Sequence, residues 1–375
     1  MNPAISNYSE ESGELTKFTI SGINVSFVNA LRRIILSEIP TVVFRTETYK
    51  DNQCTISINT TRTHNEIVKQ RLSCIPVHMT DLDILPNKYI LEVDVKNETE
   101  NIMFVTTEDF KIKNKSNGNY LTKEETHKIF PSNMKTNSYI DFARLRPKIS
   151  DTIPGEQLKL TAEFSISTAK TNSMFNVVSK CSYGNTLDFE KINQEWNEME
   201  TKLKLQGGDD LVQLKKDIEF QKKNFYILDA QRRFIENSFD FVIQTIGVFE
   251  NKTILKMGLQ ILQNKFIEFK KSLETDIVPI LNSETTMDNC YDIILEDEDY
   301  TIGKVIEYIL YEKYYHHDKS LDYCGFKKFH PHNTESIIRI AFINPVDKTV
   351  VRDYFQNVCV DAGNIFQTLS KHFSS

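Results

Sequence analysis

Two long segments with the same apolar spacing constrain this chain more than any other feature of its sequence. In the first, apolar residues from Leu255 to Leu273 recur at intervals of four, three, four, three and four. The segment from Val351 to Leu369 repeats these intervals. A mean interval of about 3.5 residues is typical of helices that pack against helices. The sequence predicts that these two helices contact each other, with the alternative that each apolar stripe covers only its own sheet. The residues predicted to form this internal interface are Leu255, Leu259, Leu262, Phe266, Phe269, Val351, Phe355, Val358, Ala362 and Ile365.

A shorter strand and helix precede each long helix in the same order. Phe18–Gly22 alternates as a strand does and leads into a helical segment at Val25–Ser37. One face of that helix is predicted to be an apolar stripe, which Arg32 borders and from which Arg33 points away; its members are Phe27, Val28, Leu31, Ile34 and Ile35. Tyr291–Leu295 leads in the same way into a helical segment that starts at Thr301. Further strand candidates, directly before the long helices, are Phe239–Ile243 and Ser336–Ile343. Because strand and helix periods alternate in the same sequence twice, we expect an α+β fold that contains one structural unit twice.

The polar and apolar pattern divides the chain into three predicted regions. The first unit is predicted at 1–45 and 165–281, an inserted β-rich domain at 46–164, and the second unit at 290–375. A short polar stretch at 282–289 separates the two units. Two further polar stretches, 113–138 and 185–224, are interpreted as insertions or mobile connections. Proteolysis is therefore expected first near Gly207, in the second of these stretches.

Composition and charge exclude several classes of protein. The 375 residues carry 45 Lys plus Arg and 52 Asp plus Glu, a net charge of -7, which disfavours a protein whose main task is to coat nucleic acid. The segment Met1–Phe18 is polar and acidic, unlike a signal peptide, and no run of about 18 apolar residues predicts a membrane span. The six cysteines form no Cys-x-x-Cys pair, so we expect reduced thiols and no zinc site built from cysteines.

Candidate catalytic and metal-binding residues are few. The sequence has no glycine-rich phosphate loop, no Gly-x-Ser-x-Gly elbow and no triplet of alternating aspartates. Cys181 beside Lys180 is interpreted as a thiol on a strand rather than a nucleophile. The acidic run Glu296–Asp299 precedes a predicted helix, so capping is favoured over magnesium binding.

Four histidines in the second unit could bind zinc. They are His316, His317, His330 and His332. The only carboxylate or thiol that the spacing offers them is Asp318 or Cys324, so a metal is not expected. We therefore predict no catalytic residue, no metal and no cofactor.

One segment of the first unit carries a specific resemblance. Gly22–Pro40, with Asn29-Ala30-Leu31-Arg32-Arg33 at its centre, resembles the signature of the alpha-like subunits of multisubunit DNA-directed RNA polymerases. The helix in His64–Val77, which includes Arg71, looks like the next element of that family. Ala169–Ser179 is similar to a further segment, with Asn176 in place of the family's proline.

The second unit resembles the smaller partner subunit of that family. The resemblance lies in Glu296–Gly303, Cys324–Phe326 and His330–His332, and it departs from the pattern at Gly303-Lys304 and in the order of the His and Pro residues. The two partners are separate chains in cells. Their presence in one chain resembles the fused subunit of polymerases from large nucleocytoplasmic DNA viruses.

The resemblance implies an internal pseudo-heterodimer of two dimerisation units that is not itself an enzyme. Such a platform captures the second-largest polymerase subunit through Asn29, Arg32, Arg33 and Arg71, and then the largest. Small accessory subunits are also implied as partners, with DNA contacted only through the complex, and with neither a membrane nor a small-molecule substrate. The implied location is the virion and the viral factory in the host cytoplasm, with the host nucleus as the alternative. The family's cysteine cluster for a metal is not expected, because the inserted domain has only Cys54 and Cys74.

Arg32 and Arg33 are also compatible with an ordinary solvated helix face. Besides the polymerase platform, two other functions are considered. One is a coiled-coil scaffold of another complex, which would use the two apolar seams, and the other is a metal-dependent enzyme built on the histidines within 290–375. Recovery of two very large polymerase chains with the protein would separate the platform from the scaffold.

Overall fold

The computed structural model describes residues 1–11, 15–150, 152–206, 211–284 and 287–373. The cleavage expected near Gly207 therefore lies outside the described residues.

Most strands are short, and many connect to their neighbours in the chain by turns. In chain order they are β1 (Ala4–Glu11), β2 (Leu15–Ser21), β3 (Thr41–Val43), β4 (Cys54–Asn59), β5 (Tyr89–Lys96), β6 (Met103–Thr106), β7 (Lys111–Asn114), β8 (Asp141–Leu145), β9 (Gln157–Glu163), β10 (Ser165–Ser167), β11 (Val178–Leu187), β12 (Phe234–Thr245), β13 (Ile280–Asn282), β14 (Cys290–Leu295), β15 (Leu321–Lys327) and β16 (Ser336–Phe342).

Two of the helices are much longer than a typical helix, which has about 11–12 residues. In chain order the α-helices are α1 (Val25–Ser37), α2 (Asn65–Ser73), α3 (Lys123–Ile129), α4 (Phe189–Gln206), α5 (Leu211–Ile227), α6 (Asn251–Glu274), α7 (Tyr300–Leu310) and α8 (Lys348–His372). A π-helix at Tyr311–His317 directly follows α7.

The folded chain forms two compact units, which are numbered separately from the two units predicted from the sequence and contain different residues. The first unit contains 1–32, 181–243 and 262–375, and the second contains 33–180 and 244–261. The segment 262–375, which includes the whole second half of the chain (290–375), thus shares a compact unit with 1–32 and 181–243. Helix α6 belongs to both units, with the division between Ile261 and Leu262.

Two four-stranded sheets with the same topology underlie the first unit. Their strand orders are β1-β2-β12-β11 and β13-β14-β16-β15. In each sheet the second and fourth strands in chain order are neighbours, and each of these two strands leads into a helix: α1 and α6 in one sheet, α7 and α8 in the other. In the second sheet β16 pairs antiparallel with β14, with Ile338 opposite Ile293. The duplicated strand and helix plan predicted from the sequence is therefore present.

Aromatic rings fill much of the core of the first unit. Phe27 on α1 lies 5.4 Å from Phe366 on α8, measured between ring centroids. Phe366 also stacks on Phe266 of α6 at 5.9 Å. Phe18 on β2 lies 5.6 Å from Phe373. All five rings are at most 3% exposed, so the first and second halves of the chain bury apolar surface against each other in this unit.

The second unit is mainly β-structure around its own core. Its main sheet has the order β4-β9-β5-β7, and smaller two-stranded sheets pair β6 with β8 and β3 with β10. Buried core residues include Leu72 on α2, Leu91 on β5 and Leu160 on β9. Helix α2 lies where the sequence indicates a helix, within His64–Val77.

The seam predicted on α8 shifts register near its end. Phe366, not Ile365, occupies the fully buried position, whereas Ile365 is half-buried. The buried positions Val351 and Leu369 are 18 residues apart, which is five turns of an ordinary helix with 3.6 residues per turn. A strict seven-residue repeat drifts by about 20° per heptad on such a helix. Phe366 thus occupies the buried position beside the predicted Ile365, whose role in the interface stays a prediction.

Both predicted polar connections contain regular structure. The stretch 185–224 contains most of α4 and α5, and these helices share a small buried cluster that includes Trp196 and Phe225. The stretch 113–138 contains α3, where Thr122 and Glu125 form a capping box. These helices expose many charged side chains and bury only a narrow apolar stripe. Their amino-acid composition is therefore close to that of a loop, which is why the sequence indicated connections here.

The polar stretch at 282–289 is a connection within one sheet. Strand β13 pairs with β14 across it, with Ile280 opposite Ile293. The end of the first region, predicted at 281, therefore falls inside a strand of the second sheet, and the predicted division into regions stays a prediction.

None of the described helices is both long and apolar enough to cross a lipid bilayer.

Candidate partner-binding site

The start of α1 is set by the turn that follows β2. Gly22 has a φ of +72°, and a Cβ at this position would lie 2.4 Å from the carbonyl oxygen of Asn2. Both observations require glycine. The side chain of Asn24 then accepts a hydrogen bond from the backbone N–H of Ser26 at 2.9 Å, which satisfies one of the free donors in the first turn of the helix.

The apolar stripe of α1 holds the helix from behind, as predicted. The five residues assigned to that stripe are fully buried: Phe27, Val28, Leu31, Ile34 and Ile35. Burial of several large side chains fixes both the position and the rotation of a helix. The polar residues between them are therefore presented at defined places.

Asn29 and Arg32 are joined on the polar side of α1. Nε and Nη2 of Arg32 both donate to Oδ1 of Asn29, at 3.1 and 3.0 Å. Both side chains are half-buried. The guanidinium keeps further N–H donors for a partner, and the two bonds to Asn29 restrict its orientation.

Arg33 lies outside the apolar stripe of α1, as expected. It is half-buried and takes part in interactions within the chain. One turn later, the Ser37 hydroxyl donates to the Arg33 carbonyl oxygen at 2.6 Å. The two arginines of α1 therefore do not form one freely solvated face.

A cavity of about 370 Å³ lies beside Asn29 in the first unit. The segment 24–29 lines one side, and Lys304, Glu307 and Tyr308 of α7 line another. Glu307 is held by two contacts: one carboxylate oxygen accepts from the Phe326 N–H at 2.9 Å and the other from Lys304 Nζ at 2.5 Å.

The contribution of α7 to this cavity was not predicted from the sequence. The one feature of the sequence that drew attention to this part of α7 was the departure from the family pattern at Gly303-Lys304. A Cβ at Gly303 would lie 2.1 Å from Cε2 of the Phe326 ring, so glycine permits that close contact. The second half of the chain thus contributes side chains next to the signature helix.

Arg71 lies in the second unit, on α2. It is exposed, and its Nη2 donates to the backbone carbonyl of Asp141 at 2.8 Å. Arg33 belongs to this unit as well, whereas Asn29 and Arg32 belong to the first. Hydrogen bonds link Arg32 to Asn29. The partner-binding role of the predicted residues stays a prediction for each of Asn29, Arg32, Arg33 and Arg71.

The predicted interface residues are distributed over both units. Within the first unit, Leu262, Phe266, Val351, Phe355, Val358 and Ala362 are buried, and Phe269 is half-buried. Leu255 and Leu259 are buried too, but they belong to the part of α6 in the second unit. An ion pair between Lys265 on α6 and Glu298, at 2.9 Å, adds a polar link between the two halves of the chain.

The candidate nucleophile Cys181 is a buried thiol, and the candidate acidic ligand Asp299 caps a helix. Burial raises the pKa of the Cys181 thiol to about 12, which leaves almost no thiolate at neutral pH. Burial, and then the charge of Glu307, raise the pKa of Cys324 to about 12. The Asp299 carboxylate accepts from the Thr301 N–H at 2.8 Å and caps α7, so the capping interpretation of the acidic run is confirmed.

One group of side chains within the described residues converges as metal ligands do. It consists of Glu312, His316 and His317, whose ligand atoms all lie within 4.8 Å of one another. The pair His330 and His332 is not part of it.

The family model of the RNA polymerase Rpb3/Rpb11 dimerisation domain matches residues 17–266. The chain belongs to this family. The match starts in β2 and ends within α6, so α7 and α8 lie beyond it.

Archaeal relatives match much of the chain. The DNA-directed RNA polymerase subunit Rpo3 of Methanosphaera stadtmanae is 24% identical over 282 residues, which covers 68% of this chain and 93% of the relative. The Rpo3 subunit of Pyrococcus furiosus is also 24% identical, over 283 residues, covering 71% of this chain and 95% of the relative. That of Thermococcus kodakarensis is 37% identical over 68 residues, or 18% of this chain and 24% of the relative.

Proposed function

We propose that this member of the family is the assembly subunit of a DNA-directed RNA polymerase and is not itself catalytic. The Rpo3 relatives, matched over 93 and 95% of their lengths, support this role. The raised thiol pKa of Cys181 and the capping role of Asp299 agree with it, because both remove candidates for chemistry.

The proposal includes a fusion of two dimerisation units in one chain. The observation that carries it is the repeated sheet order, with helices after the second and fourth strands of each sheet. The contacts of Phe366 with Phe27 and Phe266 support it further, because they join helices of both halves in one core. Under this proposal the second half takes the place of a separate smaller subunit.

In the proposed complex the second-largest polymerase subunit docks on the signature helix. Asn29, Arg32 and Arg33 are the proposed contacts, together with Arg71 on α2. A guanidinium that is oriented in advance loses less entropy when it binds a carboxylate, and the two bonds from Arg32 to Asn29 supply that orientation. The cavity formed with Lys304 and Tyr308 offers an adjoining recess for an apolar side chain of the partner.

The proposed setting is a virus of the large nucleocytoplasmic DNA type, with the protein in the virion and in the viral factory of the host cytoplasm. The largest subunit and small accessory subunits complete the proposed complex. A nuclear location is the alternative. This part rests on the fused arrangement alone.

Affinity purification of the tagged chain from cells that produce the whole system tests the function. Two very large polymerase chains should be recovered in amounts comparable to the tagged chain. A variant with Arg32→Ala and Arg33→Ala should recover less of the two large chains. Arg232→Ala, at an exposed arginine, is the matched control and should recover as much as the unchanged chain. Recovery of only unrelated proteins would contradict the proposal and favour a scaffold of another complex.

A further inference from the structure

We propose that Glu312, His316 and His317 form a binding site for one divalent transition-metal ion, with Zn²⁺ as the preferred ion. Their ligand atoms, one carboxylate oxygen and two imidazole nitrogens, lie within 4.8 Å of one another. Imidazole and carboxylate are both zinc ligands, and two histidines with one glutamate are a known three-residue set that leaves the fourth position to water. This inference does not depend on the proposed role in transcription.

The π-helix is what brings the three side chains together. Within Tyr311–His317 the hydrogen bonds join residues five apart, as the Asp318 N–H donates to the Lys313 carbonyl at 2.9 Å. Residues five apart therefore lie near one face, which places His317 over Glu312 with His316 beside it. In a regular α-helix, at about 100° per residue, the fifth residue would be rotated by roughly 140°.

The three ligand groups are available for a metal. In the described part of the chain, no hydrogen bond or ion pair occupies the Glu312 carboxylate or the imidazole nitrogens of His316 and His317. Both histidines are exposed, and Glu312 is half-buried. The rings of His316 and His317 lie 5.4 Å apart in an edge-to-face arrangement, so the two imidazoles do not stack and can turn their nitrogens to a common point.

The charges around the site are compatible with a cation. Glu312 and His317 line a cavity of about 420 Å³, together with Asp361 and Asn364 of α8. The neighbouring ammonium group of Lys313 is paired with the carboxylate of Asp361 at 2.8 Å. That pairing offsets the lysine's repulsion of a bound ion, and water can fill the remaining ligand position.

His330 and His332 provide an internal comparison. Their rings are 5.0 Å apart, and Nδ1 of His330 accepts from the backbone N–H of His332 at 3.2 Å. This bond uses one imidazole nitrogen, and no carboxylate or thiol among the described residues joins the pair as a third ligand. Two neighbouring histidines are thus present without the geometry of the proposed site, which makes them a matched control.

The test is a titration of the metal-free full chain with Zn²⁺, followed by competition with a coloured chelator. The unchanged chain should bind one equivalent. His316→Ala with His317→Ala should weaken binding by at least about tenfold, since loss of partners outside the ligand set alone costs about 10–100-fold. Glu312→Gln should weaken it in the same direction. His330→Ala with His332→Ala should leave the affinity unchanged.

Co²⁺ in place of Zn²⁺ gives a second readout through its visible spectrum. We expect bands of a nitrogen and oxygen site and no thiolate charge-transfer band. A thiolate band would assign the metal to a cysteine and overturn the proposal. So would unchanged zinc affinity in the His316 and His317 variant with an unchanged circular dichroism spectrum, or a loss in the His330 and His332 variant instead.

Discussion

The ring of Phe266 stacks on the ring of Phe366 with centroids 5.9 Å apart and planes inclined by 28°. These residues are 100 positions apart and belong to the two long helices that the sequence predicted to meet. Both are at most 1% exposed. The stacked pair is therefore the point at which the two halves of the chain share one core.

The first prediction uses the shift in register on α8. Phe366→Ala should lower the free energy of unfolding by about 3–5 kcal/mol, because it leaves a large cavity between the rings of Phe27 and Phe266. Ile365→Ala, at the half-buried neighbour, should cost clearly less. Urea unfolding followed by circular dichroism measures both. A larger loss for Ile365→Ala would restore the strict heptad seam and contradict the buried position of Phe366.

The second prediction concerns capture of the large subunit. Replacing Arg32 and Arg33 together by alanine should leave the fold intact, because neither belongs to the apolar stripe of α1, and should weaken binding. Loss of one partner from a buried charge pair costs about 2–5 kcal/mol. Co-purification measures the loss, and circular dichroism checks the fold. Arg32→Lys should have an intermediate effect, because lysine keeps the charge but not the two-pronged geometry.

The third prediction concerns the covalent link between the halves. Cleavage at a protease site introduced between Ser283 and Asn289 should leave one species of unchanged size on gel filtration. Pairing of β13 with β14 and the Phe266 contact both cross the cut, and a fusion adds effective concentration rather than new contacts. Elution as two independent folded fragments would contradict the proposed fusion of two dimerisation units.

The fourth prediction is a pH dependence in the second unit. Burial lowers the pKa of the His78 imidazole, opposed only in part by a hydrogen bond to the backbone of Gly247. Between this lowered pKa and the ordinary value of about 6.5, the unfolded chain binds more protons than the folded one, so stability falls as the pH falls through that window.

His78→Gln should therefore reduce the acid sensitivity of the second unit. Thermal unfolding at about pH 7.5 and about pH 5.5, on either side of the ordinary histidine pKa, measures the difference for the two proteins. His64→Gln, at an exposed histidine, is the control and should behave as the unchanged chain. Equal acid sensitivity in all three would show that His78 does not contribute.

The fifth prediction concerns thiol reactivity. Cys74 is exposed, whereas Cys54, Cys181, Cys290 and Cys359 are buried and Cys324 is half-buried. Burial raises the pKa of Cys54 to about 11 and that of Cys359 to about 12. Native alkylation should therefore modify one thiol rapidly, and peptide mass spectrometry should locate it at Cys74. Fast modification of Cys181 in the folded chain would contradict its buried position.

Several elements of the fold could be predicted because they follow from local periodicity. The apolar stripe of α1, the helix α2 and the strand β14 all lie where the sequence indicated, since intervals of two or of three and four residues reflect which side of an element is buried. The polar connections were interpreted less well. In α4 and α5 a few residues such as Trp196 form the whole core contact, and their signal is lost among the charges.

The candidate sites depended more on distant parts of the chain. Asn29 and Arg32 could be chosen from the sequence because they are three residues apart on one helix. The cavity beside them could not, because Lys304 and Glu307 reach it from a helix more than 270 residues away. Glu312 and His316 are four residues apart, as neighbours on an ordinary helix are, but His317 joins them because the segment is a π-helix, which sequence periodicity does not indicate.

The sequence by itself determined which residues form the repeated strands and helices, because an element that buries one side has apolar residues at regular intervals. Only the tertiary structure decided that Phe366 stacks on Phe266, that β13 belongs to the second sheet, and that the second half lines the cavity beside Asn29. These features depend on contacts between residues far apart in the chain, and no local period records which distant side chain will fill a given space.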